Sequence, residues 1–318
     1  MDRTGFILRV VICIMLAGCS SPAEEPDSSQ TQVAAGTEEQ PLYYMPADIK
    51  LLPDGKLLVA FGCCKYQTNL GNMLAIFSKD GALVKEVHSG SCGLHTVEVL
   101  PDGSYLISEK DNGSVSIIDT GGDTTWSFQP TDIQNFAPND AVYSSHGTFL
   151  ISDCAGRLLE VDRDKQVKWM FNAGDNFQVH DVDELPDGNL LFCMSGMNRV
   201  VEIDRAGEMV WEYAKDLDWP RNVVRLENGH TLITDKRRCI ELNTDDQIIW
   251  EVPIGGYNTL RADDGHTIIC TTKGIIKVNH AGETIWNLRF KMPPDIRTMT
   301  GGLTEEQVEN LRMIGYID

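Results

Sequence analysis

The chain has 318 residues, of which 42% are hydrophobic and 23% charged, enough apolar material for a sizeable core and too much for a chain disordered throughout. Its formal net charge of −20 repels phosphate backbones and argues against nucleic acid as a partner. Gly and Pro stand near average usage, which excludes collagen-like or low-complexity character.

Arg3 and Arg9 precede an apolar run from Val10 to Ala17, too short to span a bilayer but suited to a secretion signal. The run ends in Leu16-Ala17-Gly18-Cys19, which resembles the bacterial lipobox. That resemblance implies a signal over 1–18, removal of it, and acylation of Cys19 with chains such as palmitate. Ser20 and Ser21 follow rather than Asp, the pattern expected for an outer-membrane lipoprotein facing the periplasm. Residues 19–41, rich in Ser, Pro, Glu, Gln and Thr, read as an acidic disordered tether.

Over 42–290 one pattern recurs six times, opening at Ala47, His95, Asn139, His180, Arg221 and Asn258. Its turn glycines, Gly55, Gly103, Gly147, Gly188, Gly229 and Gly265, are 48, 44, 41, 41 and 36 residues apart, room for four short strands and their turns. Each unit reads as an alternating strand, a tight hairpin, an apolar strand, a third strand, and a fourth that carries Trp126, Trp169, Trp211, Trp250 or Trp286. The first unit has Lys85 at that place. The predicted fold is all-β, a six-bladed β-propeller, with the tryptophans as wedges between sheets; a seven-bladed closure using Pro41 to Met45 and a β-solenoid are the alternatives. Pro293-Pro294 ends the pattern, and in 291–318 Thr304 with Gln307 predicts a capped short helix.

In a propeller whose unit begins with the innermost strand, the residues that open the units meet at one mouth of the central channel. Aligned, they form one ring of Asp48, His95, Asn139 with Asp140, His180 with Asp181, Arg221 with Asn222, and Asn258. Two histidines and an arginine suit a transferred anion, since imidazole serves as nucleophile or acid/base and guanidinium grips sulfate or phosphate oxygens. A hydrated channel with structural polar caps is the plain alternative.

The segments from His180 to Leu191 and from Arg199 to Trp211 resemble the blade pattern of the bacterial arylsulfate sulfotransferase family, and the unit from His95 echoes it. The resemblance implies a six-bladed propeller that moves a sulfuryl group between phenols through a sulfohistidine. It further implies His180 as nucleophile, His95 as supporting acid/base and Arg221 as anion clamp, with no cofactor. Asp48, Asn139, Asp140, Asp181, Asn222 and Asn258 then line the mouth for a small anionic aromatic ligand or a protein partner.

Without the signal and lipid cysteines, seven remain, and the repeat places most of them in connections on the ring's face. Disulfide stapling is expected of them; Cys63, Cys64 and Cys92 are the weak metal candidates. Three readings stay open: a sulfotransferase-like enzyme, a non-enzymatic ligand- or protein-binding lipoprotein, and a quinoprotein- or metal-binding propeller.

Overall fold

A computed structural model describes residues 45–62, 72–89, 93–174 and 177–290. Outside them lie the expected signal, tether and C-terminal helix, together with Cys19, Cys63, Cys64 and Cys92. Among the described residues no helix is long and apolar enough to cross a membrane.

The fold is all-β: six antiparallel four-stranded sheets, each made of four consecutive strands. The first strands of the six blades, Pro46–Leu51, Leu94–Val99, Pro138–Tyr143, Val179–Glu184, Asn222–Arg225 and Asn258–Arg261, neighbour one another around the axis. This is the six-bladed propeller that the repeat predicts. Second strands such as Leu57–Phe61 and Leu190–Met194 are buried along their whole length, which explains why their sequences are continuous apolar runs. Hairpins between first and second strands form where the repeat places them. At Gly188 the chain turns with φ 88°, a conformation glycine adopts at no steric cost, and its N–H donates to the Leu185 carbonyl at 2.8 Å.

The core lies between blades. Trp126, Trp169, Trp211, Trp250 and Trp286 each pack into the cluster that joins their own blade to the next. Trp126 and Trp250 also donate through Nε1 to a turn carbonyl of the following blade, at Arg163 (2.8 Å) and His280 (3.0 Å). Lys85 takes the same place in blade 1 and donates Nζ to the Thr120 carbonyl at 2.8 Å, so an ammonium does the work of an indole N–H. Aromatic packing closes the ring, and Tyr257 O–H donates to Met45 Sδ at 3.7 Å across the same seam. Phe290 of blade 6 meets Phe61 and Phe77 of blade 1 at 4.8 and 5.5 Å, amid Ile268, Ile275 and Leu288.

Candidate functional site

The polar ring of the sequence reading is two rings, one residue apart. In blades 1 to 3 the residue eight before the turn glycine has no partner in the second strand: Pro46 pairs with Phe61 and Asp48 with Ala60, Leu94 with Glu109 and Thr96 with Ser108, Pro138 with Asp153 and Asp140 with Ser152. Ala47, His95 and Asn139 are therefore bulged, and blade 4 carries the same irregularity at His180 and Asp181. The bulge corrects the alignment. Ala47, His95, Asn139, His180, Arg221 and Tyr257 share the outer position, while Asp48, Thr96, Asp140, Asp181, Asn222 and Asn258 lie one residue deeper. Asp48, Asp140, Asp181, Asn222 and Asn258 thus move from the mouth ring to the deeper one, Asn139 alone of the expected lining residues stays, and Tyr257 joins the mouth.

The deeper ring is a brace. The Asp48 carboxylate accepts from Ile49 N–H at 2.8 Å and, across the blade boundary, from Val97 N–H at 2.9 Å. Asp140 repeats this with Ala141 (2.8 Å) and Val182 (3.2 Å). Asp181 accepts from Val223 N–H (2.8 Å) and Asn222 Nδ2 (3.0 Å), and Asn222 Oδ1 accepts from Thr259 N–H (2.9 Å). Each side chain ties its strand to the next blade's inner strand, satisfying backbone donors that no ladder pairs.

The outer ring is different. His95 and His180 face each other with ring centroids 6.0 Å apart. The His95 Nδ1–H donates to the Asn139 carbonyl at 2.6 Å; since a carbonyl only accepts, this sets the tautomer and leaves the lone pair on Nε2. His180 Nδ1 is buried and has no hydrogen-bond partner among the described residues. Burial, then the nearby Lys110 charge, pushes His95 down to about 3, with Arg221 adding to the effect. His180 is held well below the usual histidine range by burial first, then by Lys110, His95, Arg221 and Lys236. Both are neutral imidazoles in a cationic field. The Arg221 guanidinium is buried over the Tyr257 ring, 4.3 Å from its centroid. Asn139 turns inward to donate Nδ2 to the Val179 carbonyl at 2.7 Å and accept from Cys154 S–H at 3.2 Å.

Lys110 and Lys236 were missed by the sequence reading, although both stand seven residues after their turn glycines, Gly103 and Gly229. Extending the alignment into the connection after the second strand finds them. Backbone bonds dock these connections on the mouth: Lys110 N–H donates to the Gly93 carbonyl at 2.8 Å and Lys236 N–H to the Asp218 carbonyl at 3.0 Å.

At the other end of the inner strands lies a cavity of about 720 Å³ lined by Lys50, Glu98, Tyr143, Asp181, Asp183 and Arg261 among others. Lys50 Nζ stands 3.3 Å from Glu98 and 3.9 Å from Asp48. Burial raises the Asp48 carboxyl to about 6 against the pull of Lys50, and Asp183 to about 6 likewise. The channel is thus cationic at one end and rich in carboxylates at the other.

Cys154 alone of the described cysteines lies in a connection at the mouth. Cys193, Cys239 and Cys270 sit inside strands as fully buried core residues, and all four are free. This corrects both the expected placement and, for these four, the expected stapling: their positions in the unit are apolar strand positions, which a small hydrophobe fills. Among the described residues no group of three or more His, Cys, Asp or Glu is arranged to hold a metal ion.

No protein-family profile matches the chain, and no curated protein sequence does. Solved structures do. The chain is similar to Staphylococcus aureus virginiamycin B lyase, in a catalytically inactive histidine-to-alanine form with quinupristin, at 13% identity and TM-score 0.59 over 77% of this chain and 84% of that one. A protein of unknown function from Bacteroides caccae gives 19% identity and TM-score 0.57 over 69% and 90%. The WD40 β-propeller domain of Doa1 gives 14% and 0.57 over 72% and 76%. Likeness at these identities shows the fold alone: the chain is an all-β, six-bladed propeller.

Proposed function

We propose that the histidine mouth binds an aryl sulfate and passes its sulfuryl group to a phenol through His180. The observation that carries this reading is the facing pair of neutral imidazoles, His95 and His180, inside a field of Arg221, Lys110 and Lys236. A neutral imidazole is a nucleophile, and cations that disfavour its protonation also hold the anion it would attack. The His180 nitrogen lone pair forms an N–S bond as the S–O bond to the aryl group breaks, and the electron pair leaves on the phenolate oxygen, which takes a proton from water. An acceptor phenol then gives its proton to His95 Nε2, its oxygen bonds to sulfur, and the N–S electron pair returns to His180. The bound anion offsets the cationic field and raises the basicity of His95 for that step. Virginiamycin B lyase, whose histidine-to-alanine form is catalytically inactive, is a propeller of similar fold whose activity depends on a histidine.

The low basicity of His95, about 3 without ligand, favours a second reading in which the mouth binds an anionic aromatic ligand without turnover. Incubating the purified chain with 4-methylumbelliferyl sulfate and phenol separates the two. Release of umbelliferone that passes one equivalent per chain only when phenol is present and is lost in His180→Ala supports transfer. Saturable binding without release supports the binding module, and neither result rejects both.

The location belongs to the same proposal: acylation at Cys19 holds the chain on the outer membrane, facing the periplasm, with 19–41 as tether. The support is the Arg3 and Arg9 charge, the apolar run and Leu16 to Cys19. Palmitate labelling of the full chain, lost in Cys19→Ser with release into the soluble fraction, is the expected result; an unlabelled, soluble wild type contradicts it.

A further inference from the structure

The three mouth residues with chemistry share a backbone feature that no alternation pattern shows. Two positions before each of them the chain is left-handed: Gly93 (φ 86°) before His95, Gln178 (φ 35°) before His180 and Trp219 (φ 55°) before Arg221. Met45, Ala137 and Gly255, at the same offset in the other blades, are not. Blade 2 meets this need with glycine, which adopts the conformation freely. Blades 4 and 5 meet it with an amide and an indole, side chains for which it is unfavourable. A strained residue persists only where its surroundings hold it, and here they do. Trp219 N–H donates to Asn198 Oδ1 at 2.7 Å, and the Gln178 carbonyl accepts from Ser195 N–H at 2.9 Å.

What these side chains do in the fold is incomplete. Among the described residues Trp219 Nε1 and Gln178 Oε1 are buried without a hydrogen-bond partner, as is His180 Nδ1. The wedge tryptophans Trp126, Trp211 and Trp250 each donate Nε1 to a neighbouring blade instead. Trp219 meets His180 edge to face at 6.1 Å and carries the Lys236 ammonium 4.7 Å from its ring centroid, so it stands in the same cationic field as the imidazoles. Buried polar atoms are ordinarily paired; His180 Nδ1, Trp219 Nε1 against the His180 ring and Gln178 Oε1 two residues before it are three of the seven such atoms among the described residues, and a ligand at the mouth is the partner that would pair them.

Resting on the sulfuryl-transfer reading, we infer that Trp219 and Gln178 determine which aryl sulfate the mouth accepts. Trp219 packs against the aryl ring and donates its indole N–H to a ligand oxygen; Gln178 completes its amide with a second polar substituent of the ligand. The substrate class is then an aryl sulfate that bears a hydroxyl or amide group besides its sulfuryl group.

The test pairs stability with binding in Trp219→Gly, Trp219→Asn and Gln178→Gly, the replacements being residues that tolerate left-handed backbone. The probes are phenyl sulfate and 4-hydroxyphenyl sulfate. Wild type is expected to prefer 4-hydroxyphenyl sulfate, and the Trp219 variants to bind both probes about tenfold more weakly. Gln178→Gly is expected to lose only the preference. All three hold their Tm within about 2 °C, because relief of strain offsets lost packing. Unchanged binding in the Trp219 variants, or a fall of about 6 °C or more, the size for a tryptophan that serves packing, overturns the inference. Wild-type chain that binds neither probe overturns the sulfuryl reading itself and this inference with it, and the wild type alone reveals that outcome.

Discussion

The histidine mouth and the carboxylate brace stand one residue apart along the same inner strands, yet their side chains are in opposite conditions. In the brace, Asp48, Asp140 and Asp181 each tie adjoining blades through backbone N–H groups. At the mouth, His180 and its neighbours Gln178 and Trp219 keep buried polar atoms without partners among the described residues, on backbone that is left-handed at Gln178 and Trp219. A repeat supplies equivalent positions, and at the mouth His95 and Asn139 also bond to the next blade, so the contrast lies between the brace and the His180 neighbourhood, the proposed place of the ligand.

His180→Ala is expected to lower transfer by about 10³-fold or more, as loss of a nucleophile does; a smaller loss, measured by umbelliferone release, places the chemistry elsewhere. Asp48→Ala should leave the transfer rate of folded protein within about twofold while costing about 2–3 kcal/mol in urea unfolding, since it orphans two buried N–H groups. A loss of rate with no loss of stability would move Asp48 to the ligand.

The two rings also titrate with opposite sign. The folded Asp48 carboxyl at about 6 lies above its ordinary 3.8, so between these values the folded chain holds a proton that the unfolded chain has lost. Its contribution is full at lower pH and disappears as pH rises through that window, on the order of 2–3 kcal/mol. His95, at about 3 against an ordinary 6.5, acts the other way: stability is present above 6.5 and lost as pH falls toward 3. Relative to wild type, Asp48→Asn should gain Tm as pH rises from about 4 to about 7, and His95→Gln should gain it as pH falls over the same span; shifts of one sign in both would contradict the contrast. The smallest effect belongs to the far end of the channel. Asp183→Asn should change transfer by less than about twofold, and a tenfold change would bring that cavity into the site.

Much of this was legible in the sequence. Turn glycines at a regular period, alternating first strands and a recurrent tryptophan gave six blades, and aligning the copies picked out His95, His180 and Arg221. Ring closure was not legible, because Phe61, Phe77 and Phe290 meet through packing between the first and last blades. Nor was the pairing that splits mouth from brace, since the bulges of blades 1 to 4 have no sequence signature; Asp48 and Asn258 were aligned one step too far out because they stand seven residues before their turn glycines where the other units open eight before. Lys110 and Lys236 kept their offset from the turn glycine and needed only a longer alignment. Trp219 and Gln178 carry no repeat signal, since left-handed backbone at a non-glycine residue shows only in three dimensions.

The most direct measurement is mass spectrometry of the chain incubated with 4-methylumbelliferyl sulfate in the absence of acceptor, quenched in alkali to preserve an N–S bond. The peptide containing His180 is expected to gain the mass of one sulfuryl group and to lose it when phenol is added. An unmodified His180 peptide, with or without umbelliferone release, would contradict transfer through this histidine.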